Sequence, residues 1–137
     1  MKTIYATDSA FAALLVDGSV VTWGNSEYGA NKKSVSEELD GRVKVSQIFS
    51  NKTSFAALRE DGSVITWGYA PYGGDAGVKS PQLTENVVSV VSNDNSFAAT
   101  KTDGSVITWG GFQRGGDSSL VSSQIDGTVD VVKIFPT

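Results

Sequence analysis

"SFAALREDGSVITWG", residues 54–68, holds two short runs rich in Phe, Ala, Val, Ile and Trp on either side of an Asp-Gly pair. Asp-Gly between apolar runs is the strongest short-range signal for a β-hairpin. Its last eight residues, DGSVITWG at 61–68, recur letter for letter at 103–110, and DGSVVTWG at 17–24 differs by one methylene. Aligned on tryptophan, the copies stand 44 residues apart (Trp23 to Trp67) and 42 apart (Trp67 to Trp109). The same offsets carry Phe11, Phe55 and Phe97, then Gly29, Gly73 and Gly115, then Asn31, Asp75 and Asp117. A fixed period in the low forties marks a supersecondary unit that buries its faces on copies of itself. Propeller blades and helical solenoids share that length, and because no run at helical spacing repeats, the unit is β.

The hairpin sets further expectations. Read as a two-residue turn, Asp17-Gly18 places Ala12 opposite Trp23 and Phe11 opposite Gly24. The same pairing sets Ala56 against Trp67 and Phe55 against Gly68, then Ala98 against Trp109 and Phe97 against Gly110, so small faces large and an aromatic covers each strand glycine. In the third strand, Val64 and Thr66 fall on one face and Ile65 and Trp67 on the other. A strand mostly apolar on both faces belongs to a sheet sandwiched between layers. Leu15, Arg59 and Lys101, beside the turn, are expected where the sheet reaches water. One more strand precedes each hairpin, at 3–6, 45–50 and 89–92, and a further copy stands at 131–136. The Gly-, Ser- and Asn-rich stretches 25–44, 69–88 and 111–130 are each expected to hold a tight turn and a short outer strand. The predicted architecture is all-β: three propeller-type blades of three to four antiparallel strands, in one segment over 1–137. The units span approximately 3–46, 47–88 and 89–130, followed by the duplicated strand 131–136.

Composition narrows the chemistry. Among 137 residues there is no cysteine and no histidine, which removes thiolate nucleophiles, the commonest general base and the commonest metal ligand together. The formal charge is −4, and no basic run exceeds Lys32-Lys33. A phosphate backbone needs concentrated positive charge, so nucleic acid is not an expected partner. No apolar run reaches the length of a membrane span, and the start, MKTIYATDSAFAALLVDG, makes a poor signal peptide. Residence in the cytoplasm, or export as part of a larger protein, follows as the expectation. No cofactor is expected.

These residues resemble the repeat of the regulator-of-chromosome-condensation (RCC1) family, which runs from an Ala-Leu strand through Asp-Gly and an apolar residue to Trp-Gly and a Gly-rich segment. SFAALREDGSVITWGYAPYGG at 54–74 carries the pattern best, and the resemblance covers nearly the whole chain. The GGD at 73–75 and 115–117 is more similar to the bacterial members. The family's His before the Ala-Leu strand is absent here, with Phe in that region. The resemblance implies a β-propeller, usually of seven blades, used mainly to bind other proteins. Some members are exchange factors on a small GTPase and some inhibit bacterial enzymes.

Three repeats do not close a ring, since propellers have four to eight blades. Two chains would supply six about one two-fold axis; the alternative is an excerpt from a longer array. The tryptophans are expected to fill the core between blades. The loops after each Trp-Gly, NSEYGA, YAPYGGD and GFQRGGD, differ most between copies and lie on one rim. Their Tyr28, Tyr69, Tyr72, Phe112 and Arg114 are the expected partner-binding residues, because Tyr and Arg anchor protein interfaces. Asp75, Asp117 and Asn31 read as turn residues, since calcium needs six to eight oxygen ligands and one carboxylate per blade falls far short. Glu37, Glu38 and Asp40 read as a solvated acidic patch. Asn51-Lys52-Thr53 fits the glycosylation pattern but carries little weight without a secretory signal. The expected function is a non-enzymatic scaffold or protein-binding propeller. A sugar-binding propeller is the alternative, and an exchange factor follows only by family analogy.

Overall fold

The computed structural model describes residues 3–118, 121, 124–128, 131 and 133–136. They form three antiparallel sheets of three strands each, every sheet a simple meander. The first blade is β1 (Thr3–Ala6), β2 (Ala10–Leu14) and β3 (Val20–Gly24). The second is β4 (Val45–Ser50), β5 (Ser54–Arg59) and β6 (Val64–Gly68). The third is β7 (Val87–Ser92), β8 (Ser96–Lys101) and β9 (Val106–Gly110).

The hairpin register differs by one residue from the sequence expectation. Phe11 lies opposite Trp23, Ala12 opposite Thr22 and Ala10 opposite Gly24, and the other two blades repeat this. The cause is the turn. Leu15 N–H donates to the Ser19 carbonyl at 2.9 Å and Gly18 N–H donates to the Leu15 carbonyl at 3.0 Å, while Gly18 sits at φ +85°. That is a three-residue loop, a type I turn followed by a glycine bulge, rather than a two-residue turn. One extra loop residue moves every cross-strand partner by one. Phe and Trp therefore share a face and stack, with ring centroids 5.4 Å apart in the first blade, 5.3 Å in the second and 5.4 Å in the third. Each aspartate sets its turn through Oδ1, which accepts from the N–H and hydroxyl of Ser19, Ser63 or Ser105. The serine bonds hold the Asp17 and Asp103 carboxyls below the ordinary carboxylate range. At Asp61 partial burial pushes the other way, and the Ser63 bonds with the adjacent Arg59 outweigh it.

No outer fourth strand forms among the described residues. Short helical turns stand in its place: Ser26–Ala30 and Lys33–Val35, Ala70–Tyr72 and Gly77–Leu83, and Phe112–Arg114. Gly29, Gly73 and Gly115 at φ +123°, +111° and +102° reverse the chain after one turn, which few other residues tolerate. Asn31 and Asp75 then cap the next segment by accepting from Lys33 N–H and Gly77 N–H, the turn role expected of them. Asp40 pairs with Arg42 at 3.0 Å on the surface. In the copy expected at 131–136, Val132 lies outside the described residues, and residues 133–136 join no sheet.

The core is two seams between blades. One packs Ala10, Ala12, Leu14 and Val20 of the first blade and Leu39 against Val45, Ile48, Phe55, Ala57 and Trp67 of the second. The other packs Ala56, Val64 and Leu83 against Val87, Val90, Phe97, Ala99 and Trp109. The middle sheet is thus covered on both faces, as its two-sided apolar pattern requires. Polar ties accompany the packing. The Trp67 indole Nε1–H donates to the Gly29 carbonyl at 3.0 Å and that of Trp109 to the Gly73 carbonyl at 3.3 Å, each reaching into the loop of the preceding blade. Arg59 and Lys101, expected where the sheet reaches water, are half-buried and bond the Glu38 and Gln82 carbonyls of the preceding unit. Trp67 and Trp109 are 2% and 3% exposed, but Trp23, expected in the core with them, is 45% exposed. It has no earlier blade to lie on among the described residues.

Candidate functional site

The rim begins where each third strand ends. After Gly24, the Asn25 carboxamide oxygen accepts from Glu27 N–H at 2.9 Å and Tyr28 N–H at 3.3 Å and starts the turn that carries Tyr28. After Gly68, Pro71 in the first helical turn and Gly73 at its end bracket Tyr72. After Gly110, Phe112–Arg114 makes the same turn and Gly115 ends it.

A polar clamp fixes each turn from below. Asn51 Oδ1 accepts from Thr53 N–H and from the N–H and hydroxyl of Ser54, while Asn51 Nδ2 donates to the Tyr72 carbonyl at 2.5 Å. The Ser54 hydroxyl also reaches that carbonyl, at 2.8 Å. Asn93 and Ser96 hold the Arg114 carbonyl in the same way. In the first blade the Thr7 hydroxyl replaces the pair and bonds the Tyr28 carbonyl at 2.8 Å. Asn51 and Ser54 are buried, so the amide nitrogen that a glycan would need is already committed to the fold. Sequence reasoning overlooked the clamp. Its signal is the recurrence of Asn-x-x-Ser, as NKTS at 51–54 and NDNS at 93–96, ending on the first residue of the hairpin in the second and third blades.

Clamped backbones put the expected rim residues in two groups. Tyr28 meets Tyr69 edge-on, with centroids 5.7 Å apart and planes at 84°, and Tyr69 meets Tyr72 at 5.4 Å and 66°. The three half-buried rings form one row across the seam between the first two blades. Beside the row lies an open cavity of about 600 Å³ whose lining includes Glu27, Asn31, Lys33, Tyr69 and Pro71. It offers one carboxylate, one ammonium and an aromatic wall. Phe112 and Arg114 stand exposed on the third blade. Arg114 Nη1 donates to Asn95 Oδ1 at 3.2 Å, and no ring contact among the described residues joins Phe112 to the tyrosine row. Among the described residues no group of three acidic side chains is placed to hold a metal, and no helix is long and apolar enough to cross a membrane.

No protein-family model and no curated protein matches this sequence. Solved structures do. Human WBSCR16 superimposes with a TM-score of 0.51 and 26% identity, over 74% of this chain and 32% of that one. The complex of Kap60 bound to yeast RCC1 (Prp20) gives a TM-score of 0.57 at 19% identity, over 79% and 29% of the two chains. The CRINKLY WD40 ectodomain of the Arabidopsis thaliana receptor kinase ACR4 gives 0.50 at 21% identity, over 78% and 37%. The chain thus spans about a third of each of these proteins. Three antiparallel blades with such neighbours make the fold a propeller fold with RCC1-like similarity.

Proposed function

We propose that this chain is a binding module with no chemistry of its own, which docks another protein on the rim formed by the loops after each Trp-Gly. Tyr28, Tyr69 and Tyr72 lie at the centre of that rim, with Phe112 and Arg114 on the neighbouring blade. A second copy of the chain is a further partner. The observation that carries the rim assignment is the tyrosine row. Three aromatic rings held half-buried on clamped backbone lose little conformational freedom on binding, and preorganised Tyr and Arg are the usual anchors of protein interfaces. The similar fold of yeast RCC1, crystallised with Kap60, adds support, as does a Prp20p structure reported with its binding to Gsp1p and histones.

Photo-crosslinking tests the rim. A crosslinking residue at exposed Ala70 or Gln113 is expected to capture a defined protein that the same probe at Ser46, on a strand away from the rim, does not. Tyr69→Ala should weaken that capture at least ~10-fold, the scale of an interface anchor. Identical captures at all three positions would overturn the assignment. Selective binding to a glycan array with no protein captured would move the reading to a sugar-binding rim.

A further inference from the structure

We infer that the first blade of one copy seats on the third blade of a second copy, with the Trp23 indole donating to the Gly115 carbonyl of that copy. This rests on the self-association proposed above and gives it a surface.

The two internal seams define what a blade face requires. On the incoming side, Ile48, Phe55 and Trp67 are almost completely buried against the first blade. Their counterparts Ile4, Phe11 and Trp23 are 46%, 44% and 45% exposed. On the receiving side, a methyl group added at Gly29 would stand 2.5 Å from the Phe55 ring, and one at Gly73 would stand 2.6 Å from the Phe97 ring. Each glycine is therefore the seat of the next blade's phenylalanine. Gly115 has the same left-handed backbone, but among the described residues a methyl added there would meet only Ser96 Oγ at 3.0 Å and Asn93 Nδ2 at 3.3 Å of its own blade. Gly29 and Gly73 are buried, whereas Gly115 is exposed. Its carbonyl holds the place in the repeat of the two that receive Trp67 and Trp109.

Below that seat lies an apolar cavity of about 540 Å³ lined by Ala98, Val106, Ile125 and Gly115 on the blade side and by Val131, Ile134 and Phe135 of the tail on the other. Ala98 and Val106 correspond to Ala12 and Val20, the surface on which the second blade packs. Among the described residues, the first blade thus offers a stacked Phe-Trp pair and the third a glycine seat built for one. Val131 N–H bonds the Gly104 carbonyl at 3.3 Å, as Val45 bonds Gly18 and Val87 bonds Gly62. Residue 131 therefore enters the path of a next blade's first strand, so the incoming first blade displaces residues 133–136 from that path as it reaches the exposed Gly115. Two copies related by one axis make this contact twice and close a ring of six blades.

Light scattering on the full chain tests the seam. The wild type is expected at twice the 14.4 kDa chain mass. Phe11→Glu on the incoming face and Ala98→Arg on the receiving face should each give the single-chain mass with unchanged circular dichroism. Mixed in equal amounts, the two variants should pair again, because one seam between them is intact. Acrylamide quenching of the wild type needs no substitution: access to the indoles should fall as concentration rises and Trp23 is covered. A wild type at single-chain mass with constant quenching would overturn both self-association and the seam. A dimer that survives both substitutions would overturn the seam alone, and a mass beyond two copies would overturn closure at six blades.

Discussion

Trp67→Ala is expected to lower the unfolding free energy by about 3–5 kcal/mol, the usual cost of removing a large buried aromatic. The indole is 2% exposed; it stacks on Phe55 and donates to the Gly29 carbonyl. Its loss leaves both a cavity and an orphaned acceptor between the first two blades. Set against a total stability of about 5–15 kcal/mol for a domain of ordinary size, the variant should sit close to unfolding. The same change at Trp23, measured in protein dilute enough to be a single chain, should cost about 1 kcal/mol or less, because that ring stands at a free face and gives up only partial burial. Urea titrations of the two variants read the difference directly. Equal costs at the two positions would show that the tryptophans stabilise their own blades, not the seams between blades.

Gly73→Ala should be nearly as damaging, by about 2–5 kcal/mol, for two separable reasons. The backbone at φ +111° disfavours any side chain by about 1–2 kcal/mol. In addition, the new methyl would lie 2.6 Å from Cδ2 and Cε2 of Phe97, and forcing that ring out of a packed seam adds about 1–3 kcal/mol. Gly115→Ala carries the backbone cost and a tight approach to Ser96 Oγ at 3.0 Å and Asn93 Nδ2 at 3.3 Å, but no ring stands against it among the described residues. Thermal unfolding of the two variants is expected to differ by several degrees, at about 2–8 °C per kcal/mol for domains of this size range. If the two midpoints moved together, backbone strain would be the whole effect and the glycines would not be seats. For the assembled protein the expectation reverses in kind: Gly115→Ala should fold and fail to pair.

Much of this fold was legible from the repeated octet. Three β units, their hairpins, the doubly covered middle sheet and the seam role of Trp67 and Trp109 all follow from apolar patterning around Asp-Gly. The register did not, because Asp-Gly fits both a two-residue turn and the bulged three-residue turn observed. What separates them is the following serine, which bonds the aspartate and lengthens the loop. The outer strands were misread for a related reason. Gly-, Ser- and Asn-rich segments satisfy their backbone locally through caps and left-handed glycines, so they need no ladder partner. In the loops after each Trp-Gly the tyrosines stand out in the sequence, but their assembly into one row depends on the clamped turns. Asn51 and Ser54 look like surface polar residues until the fold buries them beneath Tyr72. Equal spacing in a repeat also conceals which copies have a blade on both sides among the described residues, and Trp23, expected to share the burial of the other two, has none on its outer side there.

Hydrogen exchange of the three indole N–H groups, followed by nuclear magnetic resonance in dilute and concentrated samples, separates the two seam indoles from the one on the first blade's outer face. Slow exchange is expected at Trp67 and Trp109 at every concentration. At Trp23 exchange should be fast when dilute and turn slow as a second copy supplies the Gly115 carbonyl. Three indoles exchanging alike in dilute protein, or a Trp23 indifferent to concentration up to the point of pairing and beyond, would contradict this assignment of the blade faces.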